Sequence, residues 1–192
     1  MYVPSEDSEL AVHLLRVYLG KTGKTGLSIL DMGTGTGILG MCAAMDRNAD
    51  NVLFADIDDA ALALARSNVM SNRNVLRAKC AFIKTDLFSK ISSKKLFDLI
   101  MFNPPYLPSE GERSALQNTW DGGPTGIEVS AEFMRQSVLH LNKDGALLLV
   151  ASSFSDTDRL FRIAEACGFM PFLKQSVHIF FEDITAALFK KL

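Results

Sequence analysis

A short apolar run, Leu27 to Asp31, is followed at once by Met32-Gly33-Thr34-Gly35-Thr36-Gly37 and then by a helical pattern from Ile38 to Met45. Glycines at alternate positions between a strand and a helix let the backbone turn sharply and let a ligand lie on it, because no Cβ intervenes. The helix from Ile38 would direct free N–H groups at that ligand. A chain carrying such a turn is committed to strand-turn-helix units.

The rest of the sequence repeats that alternation. Asn51 to Asp56 leads to a helical pattern over Ala60 to Met70, Ala81 to Thr85 and Phe97 to Phe102 follow, and Gly145 to Ala151 precedes Asp156 to Cys167. The predicted fold is α/β: an open, Rossmann-like sheet of about seven strands, mostly parallel, with helices on both faces. Ahead of it, Leu10, His13, Leu14, Val17 and Tyr18 form a helical stripe within Ser8 to Leu19, with Ser5 or Asp7 as N-cap. Phe169 to Phe181 and Ile184 to Leu188, parted only by Glu182 and Asp183, should pair as an antiparallel C-terminal hairpin. Arg73 to Lys79 reads equally as helix tail or strand start. With 192 residues, 48% hydrophobic, the chain suits one domain over 1–192, with a leading helix in 1–20 and a substrate loop over 103–126.

Composition narrows the setting. The first ten residues lack a basic cluster and an apolar segment, so no secretory signal is read, and no apolar run approaches a membrane span. Cys42, Cys80 and Cys167 are widely spaced and odd in number, which suits a reducing, cytoplasmic setting and no metal site. Twenty basic against 22 acidic side chains give a net charge of −2, which weighs against a nucleic-acid backbone as partner. Gly20 to Gly26, GKTGKTG, imitates a phosphate loop, but Leu15 and Tyr18 stand where its leading glycine is required. It reads as a solvated turn.

Gly35, Gly37 and Gly40 also satisfy the dinucleotide pattern GxGxxG, but Asp31 would repel a pyrophosphate and suits a cationic amino group. Asp56, at the end of the second strand with Ile57 beside it, can accept both hydroxyls of a ribose. Asp86 and Leu87 are placed to meet an adenine amino group and ring. Two acids about a glycine turn fit a positively charged adenosine ligand, S-adenosylmethionine.

The fourth strand runs into Asn103-Pro104-Pro105-Tyr106, on the carboxyl edge where such sheets bind ligands. Two prolines remove N–H donors and leave carbonyl oxygens, Asn103 adds a side-chain acceptor, and Tyr106 adds a flat face for stacking. These catalytic candidates match a planar NH2. Acceptors on both N–H bonds, the Asn103 side-chain oxygen and the Pro104 carbonyl, would aim the nitrogen lone pair at a methyl group. The nitrogen's proton becomes acidic once alkylated, so no strong base is required, and His13, His140 and His178 read as core or surface. An amide and the amine of a nucleic-acid base both meet this description.

These motifs resemble the HemK-type protein-glutamine methyltransferases, class I enzymes that use S-adenosylmethionine. The likeness is greatest to their short eukaryotic and archaeal branch, whose opening signature is matched by Tyr2-Val3-Pro4-Ser5-Glu6-Asp7-Ser8. The resemblance places Ser8, Asp31, Gly33, Gly35, Gly37, Asp56, Ile57, Asp86, Leu87 and Asn103 around the cofactor. Trp120 to Gly126 is similar to a Gly-Gly segment of these proteins, whereas Arg73 to Phe82 and Phe180-Phe181-Glu182-Asp183 depart from their pattern. What the resemblance implies is N5-methylation of the glutamine in the Gly-Gly-Gln motif of a class I translation release factor, with a small zinc-binding activator protein as partner. The alternatives are an N6-adenine methyltransferase acting on DNA or RNA, and a non-catalytic subunit that retains the cofactor site.

Overall fold

A computed structural model of the chain describes residues 6–106 and 123–192. The elements in order are α1 (Glu6–Lys21), β1 (Leu27–Met32), α2 (Ile38–Met45), β2 (Ala49–Asp56), α3 (Asp59–Ser71), β3 (Lys79–Lys84) and β4 (Phe97–Phe102). After the undescribed stretch come α4 (Glu128–Ser137), β5 (Leu141–Ser152), α5 (Thr157–Ala166), β6 (Phe169–Ile179) and β7 (Glu182–Lys191). The strands form one seven-stranded sheet in the order β3-β2-β1-β4-β5-β7-β6. β1 to β5 are parallel, and β7 runs antiparallel to both β5 and β6.

The inner strands are apolar on both sides because helices cover both faces. Along β1, Ile29 enters the core shared with α1 and α2, and Leu30 the opposite core shared with α4 and α5. Local signals set the helix starts: Asp58 accepts from the Ala60 N–H at 2.9 Å to cap α3, and Asp156 accepts from the Arg159 N–H at 3.1 Å to cap α5. No helix among the described residues is long and apolar enough to cross a membrane.

Four local expectations are corrected. α1 begins at Glu6, so Asp7 is a buried residue of its first turn and not the N-cap; Ser5, the other candidate, lies outside the described residues. The buried face of α1 is Asp7, Ser8, Ala11, Leu14, Leu15, Tyr18 and Leu19, while His13 is exposed. Strand β5 starts four residues early, at Leu141, which pairs with Phe97 before a register shift. The hairpin turns at Phe180-Phe181, because Glu182 and Asp183 lie within β7 opposite Ile179 and His178. In the ambiguous segment, residues 73–78 are neither helix nor strand and Lys79 opens β3, while Arg77 and Ala78 donate to the Ala44 carbonyl.

Candidate active site

The glycine turn leaves β1 at the carboxyl edge of the sheet. Asp31, 1% exposed, organises it from within: its Oδ2 accepts from the Thr34 hydroxyl at 2.5 Å and from the Gly40 N–H at 2.9 Å. Burial pushes the Asp31 carboxyl up to about 7, against the opposing pull of those hydrogen bonds. The N–H of Gly40, expected to face a ligand, is thus committed to Asp31. The three glycines are also not equivalent. A Cβ on Gly33 would stand 2.7 Å from the Phe102 ring and one on Gly37 3.2 Å from Ala65, whereas at Gly35 the nearest atom is 4.0 Å away. Only Gly35 combines a left-handed φ, +53°, with open space on which a ligand could lie.

Asp56, at the end of β2, is tied to the same turn. Its Oδ2 accepts from the Gly35 N–H at 2.9 Å and its Oδ1 from the Asp58 N–H at 3.0 Å. A carboxylate has about four acceptor directions, so two backbone bonds orient it and leave capacity for a pair of hydroxyls. Ile57 follows, 61% exposed, an apolar side chain that a planar ring could cover.

Asp86 lies past the end of β3 and is exposed; its carboxylate accepts no hydrogen bond among the described residues. The neighbouring Thr85 closes the turn instead, its hydroxyl donating to the Leu87 carbonyl and accepting from the Lys90 N–H. That leaves Leu87 half-buried at φ +44°.

β4 delivers Asn103-Pro104-Pro105-Tyr106 beside β1. Asn103 Nδ2 donates to Asp7 Oδ2 at 3.0 Å, and the Tyr106 hydroxyl donates to the same oxygen at 3.2 Å. Asp7 is 2% exposed, and its Oδ1 accepts from the Ser8 N–H. The carboxylate therefore dictates which end of the Asn103 amide faces α1. The other end, Oδ1, is buried and accepts no hydrogen bond, the one such side-chain atom among the described residues. A buried carbonyl oxygen without a donor is costly, and an N–H from a ligand would relieve it.

Sequence reasoning missed Asp7 as a member of this group, although it took the adjacent Ser8, which is buried on the same turn of α1. The Tyr106 ring, expected to offer a stacking face, is partly packed against the core shared with α1. The signal that could have found Asp7 is an acid on the otherwise apolar, buried side of a helix. It needs donors, and such donors come from elsewhere in the chain.

The histidines stand apart from this cluster: His13 is exposed, His140 stacks on Phe88 with Nδ1 3.1 Å from the Lys95 carbonyl, and His178 faces Asp183. The GKTGKTG turn lies ahead of β1, and its Lys24 donates to the Asp144 carbonyl. Tyr2 to Ser5 and residues 107–122, including Trp120, lie outside the described residues. Where the chain returns, Thr125 donates to the Glu128 carboxylate through both N–H and hydroxyl, and a Cβ on Gly123 would meet that side chain at 2.5 Å. Hydrogen bonds from Thr125 help hold the Glu128 carboxyl below its usual range, against the effect of burial.

Comparison with known proteins gives a consistent picture. The methyltransferase small domain family matches residues 8–177. A Methanocaldococcus jannaschii protein, provisionally named a protein N5-glutamine methyltransferase, is 31% identical over 188 residues, covering 96% of this chain and 88% of the relative. The release factor glutamine methyltransferase of Streptococcus pneumoniae is 37% identical over 110 residues; the match covers 57% of this chain and 36% of that longer protein. Among solved structures, the E. cuniculi Mtq2-Trm112 complex responsible for methylation of the eRF1 translation termination factor superposes with a TM-score of 0.73. It covers 100% of this chain and 98% of its own at 22% identity, a likeness of fold.

Proposed function

This chain belongs to the methyltransferase small domain family, whose members use S-adenosylmethionine, and from that premise we propose that it methylates the side-chain amide of glutamine, in the Gly-Gly-Gln motif of a class I translation release factor. The observation that carries the reading is the Asn103 amide, with Nδ2 held by Asp7 and a buried Oδ1 that accepts no hydrogen bond. That pairing suits a planar NH2 group, whose N–H donates to Oδ1 while the nitrogen is held in one orientation.

When bound, S-adenosylmethionine supplies an electrophilic methyl group on a positively charged sulfur. The chain's residues fit it: Asp56 is oriented to accept from ribose hydroxyls, Gly35 gives room for the ligand on the turn, and Asp31 offers a carboxylate to a cationic amino group. Asp86 and Leu87 would meet the adenine side and the exposed Ile57 its ring, Ser8 would lie nearby on α1, and Gly33 and Gly37 would support the turn by packing against Phe102 and Ala65. The Pro104 carbonyl joins Asn103 in accepting from the acceptor NH2, and Pro105 and Tyr106 keep that ledge rigid. An amide nitrogen is a poor nucleophile because its lone pair is delocalised. Two acceptors that fix its N–H bonds leave the lone pair directed at the methyl group, so the rate comes from positioning and electrostatics. Bound S-adenosylmethionine would supply the methyl carbon and carry away the thioether, and the amide proton, acidified by alkylation, would pass to solvent.

The names of the relatives support the amide acceptor over a base amine, and charge agrees, since the chain carries a net −2. The fold shared with a chain of the Mtq2-Trm112 complex supports a small partner subunit, for which the sequence resemblance implies a zinc-binding activator, and a translation-factor substrate is consistent with action in the cytoplasm. The experiment is transfer of labelled methyl to full-length release factor and, separately, to DNA and RNA, with the modified residue identified by mass spectrometry. Label at the Gly-Gly-Gln glutamine is expected. Label in nucleic acid alone would replace this reading with base-amine methylation.

A further inference from the structure

We propose that the aromatic tip of the β6–β7 hairpin, Phe180 and Phe181, together with Phe154 of the adjoining loop, docks the protein that carries the acceptor amide by gripping an apolar, basic patch on its surface. The proposal rests on the amide-transfer reading above and names how that substrate is held.

The tip contradicts what folding alone would select. Phe180 is 85% and Phe181 89% exposed, so neither ring adds to the core. They form a two-residue loop between Ile179 and Glu182, and Phe180 sits at φ +52°. Hairpin loops of this length favour Asn-Gly or a leading glycine, which adopt left-handed backbone without strain. Exposed aromatics in a strained turn cost stability, and such local conflicts gather at functional sites.

The register places the tip on the edge that carries Asn103. Phe102 of β4 pairs with Leu149 of β5, and β5 continues to Ser152, opposite Ile184 of β7. With strands about 4.8 Å apart and about 3.3 Å of rise per residue, the tip stands on the order of 20 Å from Asn103. A folded protein that seats a side chain at Asn103 therefore presents neighbouring surface to the tip. The tip is also held ready. The Ser152 hydroxyl donates to Glu182, the Ser153 N–H donates to the Asp183 carbonyl at 2.9 Å, and the Asp183 N–H donates to the Ser153 hydroxyl at 2.9 Å. Those bonds join the hairpin to the loop bearing Phe154, itself 50% exposed. Rigid aromatic anchors lose little freedom on binding and dominate interface energetics.

Charge selects the partner. Glu182, bonded by Ser152, and Asp183, facing His178, follow the tip, and Asp156, the cap of α5, and Asp158 follow Phe154, with Arg159 further into α5, so carboxylates outnumber basic groups here. Carboxylates around exposed rings repel a phosphate backbone and favour a protein surface carrying lysine or arginine.

The test is the double variant Phe180→Gly with Phe181→Ser, which puts glycine at the left-handed position of the loop and removes both rings. Its melting temperature should equal or exceed that of the wild type, and its Kd for S-adenosylmethionine should stay within twofold. With full-length release factor as substrate, KM should rise at least tenfold with kcat within twofold. A KM within twofold of wild type overturns the docking assignment while leaving amide transfer intact. If the wild type itself labels nucleic acid alone, the amide reading falls and the docking assignment with it, an outcome visible without the variant.

Discussion

Asp7 and Asn103 lie 96 positions apart in sequence and share a 3.0 Å hydrogen bond, carboxylate to side-chain amide. Because a carboxylate accepts and does not donate, the bond fixes Nδ2 toward α1 and leaves Oδ1 for a donor from outside. Asp7 is thereby a positioning residue for Asn103.

Replacing Asp7 with Ala is expected to lower kcat by about ten- to a hundredfold, roughly 1.4–2.7 kcal/mol of barrier, with cofactor Kd within threefold. Asn103→Ala should abolish turnover with cofactor affinity within about tenfold. In the double variant the two losses should be far from additive, since one residue acts through the other. Steady-state kinetics with calorimetric Kd values checks this; additive losses would separate the pair.

Asp56→Ala should weaken cofactor binding by at least about tenfold, about 1.4 kcal/mol. The variant loses the acceptors for the Gly35 and Asp58 N–H groups as well as those offered to the ribose. Calorimetry gives the affinity directly; an unchanged Kd would remove Asp56 from the cofactor site.

Gly35→Ala and Gly40→Ala should fail differently. At Gly40 a Cβ would sit 2.3 Å from the Phe54 ring and 2.8 Å from Asp31, so overpacking should destabilise the fold by about 1–3 kcal/mol. At Gly35 the protein leaves room, so the stability loss should be only the backbone cost of a left-handed alanine, about 1–2 kcal/mol, while cofactor binding drops sharply. Thermal melts paired with binding isotherms distinguish the two.

Asp31 predicts a pH signature. Its carboxyl is raised from 3.8 to about 7, so in the free protein it is largely protonated below pH 7. Between those two values the folded state binds more protons than the unfolded, so this group's contribution to stability declines as pH rises from about 4 to 7. A cationic ligand group favours the ionised form, so cofactor affinity should increase from pH 5.5 to 7.0, by at most about tenfold per pH unit. Asp31→Asn should flatten that slope. An unchanged slope in the variant would assign the titration elsewhere.

The members of the candidate site that the sequence points to are those whose signals are local. Asp31, Gly35 and Asp56 announce themselves by following strand-like runs, and Asn103 by the rigid prolines after it. Asp7 escapes because its donors come from the segment after β4, and because a stripe running from Leu10 to Tyr18 starts beyond the buried polar pair Asp7 and Ser8. The hairpin was misplaced for a related reason. Glu182 and Asp183 look like turn residues, yet their side chains and backbone are engaged by Ser152, Ser153 and His178, which draws them into β7. The seven-stranded architecture is legible where the apolar runs of β1, β2, β4 and β5 mark strands covered on both faces, whereas the strand ends are not.

The long span between Asp7 and Asn103 bears on how the molecule comes of age. Joining distant segments early is entropically dear, so a folding chain should build its central strands before the first helix settles against the end of β4. Until that late clasp forms, nothing from α1 fixes which way the Asn103 amide is turned.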